Sequence, residues 1–287
     1  MLGVIIGVLG VSLSSILVRY STAPSAVTAA LRLVWTVLLL TPAVFGKKQV
    51  RQELLSIRKK TLALSALSGV FLAAHFGIWF ESLQHTTVAS STTIVCTDAI
   101  WVALGYWLFL KGRLSLKAAA AIAVAFLGSV LIALADSSAG GGHLYGDALA
   151  LAAAIAIAAY TLIGSVVRAS TSTTVYTYIV YTVCAAVLSV TCLVQGHSLL
   201  AEPSGLVVGL LLAVCSTLLG HSIFSWSLKY FSPAFVSAAK LCEPVVAAML
   251  AAVLFGEWPV PLQLAGSALI LGGVYSYSRL ERAETKH

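Results

Sequence analysis

Apolar residues in this chain come in runs of about twenty, separated by short polar joints. A membrane-crossing β-strand alternates apolar and polar residues over ~10 positions. Segments such as Leu116–Leu134 are instead apolar on every face. In lipid only a helix satisfies its own backbone hydrogen bonds with such a sequence. A span takes ~20 mostly apolar residues, which predicts helices near 2–20, 25–45, 62–84, 87–110, 116–135, 146–167, 174–194, 204–228, 233–255 and 260–279. The expected fold class is an all-α membrane protein with ten transmembrane helices. The first stretch, Leu2–Tyr20, lacks a basic flank before it and a small-residue cleavage site after it, so it reads as a span and not as a signal peptide. The two informative joints are Gly46–Lys60 and Asp136–Tyr145, the latter carrying Gly140, Gly141 and Gly142.

Composition agrees with the pattern. Charged residues make up 9% of the chain, against ~25% in soluble domains. The net charge of +7 could suggest nucleic acid, but the placement of the cations argues for membrane topology. Lys47, Lys48, Arg51, Arg58, Lys59, Lys60, Lys111, Arg113, Lys117, Arg168, Lys229, Arg279, Arg282 and Lys286 fall on one side of the predicted bundle. The other side has Arg19 alone, and Arg32 and Lys240 lie within spans. Basic joints stay inside, so both termini are expected in the cytoplasm. The 47–60 cluster is a topology signal and a contact for lipid headgroups. Cys96, Cys184, Cys192, Cys215 and Cys242 all sit in apolar runs without C-x-x-C spacing and read as small buried hydrophobes.

Parts of the chain match themselves at an offset of 146 residues. His75 meets His221, Phe80 meets Trp226, Cys96 meets Cys242, and Leu108-Phe109-Leu110-Lys111 meets Leu254-Phe255-Gly256-Glu257. Each half then holds five spans, and an odd number inverts the second copy. Inverted repeats place a substrate site near the midplane, where the halves meet. The expected organisation is a first five-helix repeat over 1–135, a linker over 136–145, a second repeat over 146–280 and a cytoplasmic tail over 281–287.

Ionisable groups inside spans cost ~2.5–3.5 kcal/mol each on insertion scales, so each needs a reason. Lys240 and Glu243 are three apart, beside the helix-breaking Pro244. They suit a substrate or coupling site, or a structural ion pair. His75 and Trp79, four apart, share a helix face and suit a cavity wall, with His221 as the partner of His75. Asp98 lies three residues before Trp101; it could pair with Arg32 or Lys240, bind an ammonium group, or carry a proton. Arg32 could snorkel outward, pair with a carboxylate, or hold a substrate carboxylate. Glu81 lies near the outer end of its span. Tyr160 and Tyr178 could line the path or pack between helices. Gly3-x-x-x-Gly7 and Gly205-x-x-x-Gly209 read as packing inside the bundle, consistent with a monomer.

The second half resembles the EamA domain of the drug/metabolite transporter superfamily. The resemblance rests on Ser237-Ala238-Ala239, Glu243-Pro244-Val245, Leu254-Phe255-Gly256-Glu257, Gln263-Leu264-Ala265-Gly266 and Leu269-Ile270. The first half matches more loosely, with Asp98 where the family often has proline and Lys111 where it often has glutamate. Leu31-Arg32 fits the family's Leu-Arg in the second span. The His-bearing spans and the aromatic content are similar to the amino-acid exporter branch, aromatic amino-acid exporters included. The resemblance implies a ten-helix carrier of the bacterial inner membrane that exports small molecules. The chain has no phosphate-binding G-x-x-x-x-G-K-[ST] loop, no H-E-x-x-H and no clustered metal ligands. No cofactor, nucleic-acid partner or enzymatic activity is therefore expected. A membrane-embedded enzyme acting on a lipid-linked substrate, with Asp98, His75 and Glu243 converging, is the competing reading. A non-transporting membrane subunit is another.

Overall fold

The computed structural model describes residues 2–18, 20–86, 91, 94–112, 114–136, 144–199, 202–255, 258 and 261–284. Arg19, Arg113, Gly140–Gly142, Gly256-Glu257 and Lys286 lie outside them. The described residues form helices and no strand. The helices are α1 (Leu2–Val18), α2 (Ser25–Phe45), α3 (Lys48–Leu55), α4 (Lys59–His85), α5 (Asp98–Leu110), α6 (Leu116–Asp136) and α7 (Leu144–Arg168). They continue with α8 (Thr173–Val194), α9 (Pro203–Leu212), a π-helical stretch (Ala213–His221), α10 (Ser222–Ser227), α11 (Pro233–Lys240), α12 (Glu243–Phe255) and α13 (Pro261–Glu284). Among the described residues five segments are long and apolar enough to cross a membrane: α2, α4, α7, α8 and the continuous Pro203–Ser227. Shorter apolar helices accompany them at Leu2–Val18, Asp98–Leu110, Leu116–Gly128 and Leu264–Tyr277.

Helix starts are written locally. Ser172 accepts a hydrogen bond from the Val175 amide at 3.3 Å to open α8. Ser232 accepts one from the Phe235 amide at 3.1 Å to open α11, with Pro233 at the first helical position. Lys111 ends α5 with φ 52°.

Three features depart from the sequence pattern. The joint 46–60 contains α3, whose residues are good helix formers but too short and too charged to span. Its Glu53 accepts the Ser172 amide at 2.7 Å and so ties the joint to the start of α8. The segment 233–255 is two helices, because Pro244 has no amide hydrogen to give the Lys240 carbonyl. Turn-type bonds from Leu241 to Ala238 and from Cys242 to Ala239 fill the gap. A matching break falls at Cys96–Thr97, with a bond from Thr97 to Ile94, although no proline is there. Finally, the path through 203–227 widens into π geometry, with the Ser222 amide bonded to the Thr217 carbonyl.

The main pairings are α6 with α13, α2 with α8, α4 with α7 and α8, and α1 with the π stretch and α12. The close ones run through small residues. A side chain on Gly128 would stand 2.5 Å from the Gly266 carbonyl, and one on Gly273 would stand 2.7 Å from the Ala121 carbonyl. Gly10 and Gly220 bring α1 equally close to the π stretch. Two apolar clusters result. One centres on Phe76, Phe80, Tyr176 and Tyr181, the other on Val11, Ala99, Phe235 and Leu241.

Gly273→Val should lower the thermal unfolding midpoint in detergent, by about 1–3 kcal/mol of overpacking. Gly272→Val should be near neutral, since an added Cβ there meets nothing within 4 Å. Equal midpoints for both variants would contradict this packing.

Candidate functional site

A cavity lies between the two clusters, with about 580 Å³ of space not filled by atoms, its mouth included. Its wall brings together residues that are far apart in the chain: Arg32, His75, Trp79, Asp98, His221, Lys240 and Glu243.

Each is placed by its element. On α4, His75 and Trp79 are one turn apart, with rings stacked at 5.9 Å and 11°. The His75 Nδ1 donates to the Ala153 carbonyl on α7 at 3.0 Å. A carbonyl can only accept, so this bond fixes the tautomer and leaves Nε2 as an acceptor. His221 ends the π stretch and meets the Phe76 ring edge-on at 5.3 Å. Arg32 is buried on α2, with its guanidinium carbon 4.4 Å over the Phe76 ring. Its Nε donates to Thr217 Oγ1 at 2.7 Å and its Nη1 to Ser14 Oγ at 3.3 Å.

The two helix breaks meet in the cavity wall. Asp98 is the first residue of α5, Glu243 the first of α12 and Lys240 the last of α11. Each charge thus sits at the helix end whose partial charge it offsets. The Asp98 carboxylate accepts from Ser237 Oγ at 2.6 Å and from Lys240 Nζ, joining the first break to the second. The Lys240–Glu243 pairing allowed by sequence spacing is not made, because the helix ends between the two residues and Lys240 reaches Asp98 instead. Nor does Arg32 snorkel; it is 1% exposed.

Other candidates sit elsewhere. Trp101 donates its Nε1 to Thr97 Oγ1 at 3.2 Å. Tyr178 contacts Thr41 and Phe45. Glu81 pairs with His85 at 3.1 Å, and both are largely exposed. Tyr160 is buried behind the wall, its hydroxyl 2.8 Å from Ser225 Oγ and its ring 6.4 Å from His221. Pro244 occupies the second position of α12. Sequence reasoning missed Ser14, Phe76, Ser237 and Thr217. The hydroxyls carried no charge to mark them, and Phe76 sits beside the more conspicuous His75. Among the described residues no group of three or more His, Cys, Asp or Glu could hold a metal ion.

The model of the EamA-like transporter family matches residues 1–134 and again 144–279. The chain belongs to the EamA-like transporter family. It is a multi-pass membrane transporter. Among curated relatives, a probable amino-acid metabolite efflux pump of Salmonella typhimurium is 29% identical over 82% of this chain and 80% of its own. The uncharacterized transporter YwfM of Bacillus subtilis is 25% identical over 80% of this chain and 78% of its own. A solved crystal structure superposes with a TM-score of 0.78 at 18% identity, covering 98% of this chain and 97% of that one, a likeness of fold. In this EamA-like transporter the charged cavity lies among the helices that carry the two family matches.

The Asp98–Lys240 pair yields a stability prediction. Removing one partner strands a buried charge, at a cost of about 3–5 kcal/mol. Lys240→Met should therefore lower the unfolding midpoint sharply, and adding Asp98→Asn should recover much of it. Additive losses in the double variant would show that the pair is not coupled.

Proposed function

We propose that this protein exports small metabolites, amino acids or related amphipathic compounds, by alternating access around the central cavity. Two inverted five-helix halves surround that cavity in ten spans, with both termini in the cytoplasm of a bacterial cell and the helices in its inner membrane. The carrying observation is the cavity wall, which combines aromatic rings with both signs of charge and is drawn from both family matches. An amino acid offers the complementary set: an apolar body with one cation and one anion. Discontinuous helices around a midplane cavity are the usual frame for such sites.

The helix pairings support inversion. Exchanging the first span for the sixth, the second for the seventh and so on maps the α4–α7 contact onto that of the π stretch with α1. The same exchange maps α5–α7 onto α12–α1, and it returns α6–α13 and α2–α8 to themselves. The efflux name of the Salmonella relative supports the outward direction. The split of basic residues supports the orientation.

The test is counterflow of labelled amino acids into liposomes holding the purified protein, with and without a pH gradient. Saturable uptake is expected for at least one apolar amino acid. His221→Ala should reduce it about tenfold, the equivalent of ~1.4 kcal/mol of lost contact. Folded protein that moves no amino acid would overturn the substrate class.

A further inference from the structure

Buried donors are seldom left without an acceptor. Among the described residues four buried side-chain nitrogen or oxygen atoms have no hydrogen-bond partner, and two of them belong to the cavity wall: Arg32 Nη2 and Trp79 Nε1. Both atoms can only donate. A ligand group that satisfies them must therefore be an acceptor.

The charge balance narrows the choice. Arg32 spends its Nε and Nη1 on the hydroxyls of Thr217 and Ser14, which are neutral. Among the described residues it makes no ion pair. The cavity's other cation, Lys240, is committed to Asp98, whose carboxylate also takes the Ser237 hydroxyl. The wall also holds the Glu243 carboxylate, but no ion pair joins it to Arg32, so among the described residues Arg32 is the wall's cation without a direct carboxylate partner, its plane steadied by the Phe76 ring. Around it are apolar side chains, Val11, Val95 and Ile157. A guanidinium with one free nitrogen and an indole N–H in the same wall suit a planar anion with two acceptor oxygens.

We propose that Arg32 Nη2 and Trp79 Nε1 form the subsite for a carboxylate on the transported molecule. The proposal rests on the reading of the cavity as the cargo site and adds a requirement to it. Cargo needs a free carboxylate beside an apolar body, and neutral amides or esters of the same body are rejected.

The experiment measures Kd for L-phenylalanine and L-leucine, and for their primary amides, on the purified full-length protein in lipid nanodiscs. In the unaltered protein each acid should bind at least about tenfold more tightly than its amide, as expected of a site whose buried donors the amide leaves without their charged partner. Trp79→Phe keeps a ring and removes only the N–H; it should narrow the acid-to-amide ratio about threefold while amide binding stays put. Arg32→Lys keeps the charge and loses the fork, and should narrow the ratio further. Arg32 also holds Ser14 and Thr217, so Trp79→Phe decides if the Arg32 variant unfolds. Equal Kd for acid and amide would overturn the subsite and leave the carrier standing. Equal weakening of acid and amide by Trp79→Phe would reduce Trp79 to packing and overturn it too. Binding of no acid and no amide by folded protein would overturn the amino-acid reading itself, and this subsite with it.

Discussion

A helix that stops partway across a hydrocarbon layer leaves carbonyls and amides with nothing to bind. Among the described residues this chain stops in this way at Cys96–Thr97 and at Leu241–Cys242. The ends are tolerable because they meet and are bound by charge. Asp98 begins one half-helix and Lys240 ends another, and the carboxylate of the first takes the ammonium of the second. Without that contact both breaks would be liabilities. With it they become two corners of a polar chamber, and the aromatic rings of α4 and the end of the π stretch supply other walls.

The chamber is polar in an uneven way. The hydroxyl of Ser14 in its wall and those of Thr217 and Ser237 outside the lining orient the charged side chains. Its rings form a continuous track, Trp79 on His75, His75 beside Phe76, and Phe76 beneath Arg32. Such a surface offers an apolar guest a slot and its charged end a firm contact. The arrangement is therefore better suited to receiving a charge than to storing one.

Much of this was legible in the residues. Helix class follows from apolar runs with no alternation, and helices fall within a few residues of the expected spans at 25–45 and 174–194. The charged members of the cavity were visible because an ionisable group in a span is costly, whereas Phe76 was not. The break at 241–242 was visible through Pro244. What was hidden shares a cause: it depends on which helices touch. Nothing in the sequence around Cys96 announces a break without proline. No local pattern foretells the widened turn at 213–221, or decides between the partners the sequence offered Asp98, of which it takes Lys240, 142 residues away. Tyr178 and Trp101 looked alike as aromatic residues in spans, yet they face neighbours outside the cavity.

The seam between α6 and α13 sets a limit of another kind. There the backbones lie so near that a single carbon on Gly128 or Gly273 would strike a carbonyl of the opposite helix. Substitution at either position cannot be answered by a compensating change in a side chain, because the obstacle is main chain. Gly10 on α1, whose added carbon would meet the Cys215 carbonyl, and Gly69 on α4, facing the Val180 carbonyl, are bound the same way. At such positions a lineage has no vocabulary beyond glycine. These seams are thus parts of the design that heredity can revise little.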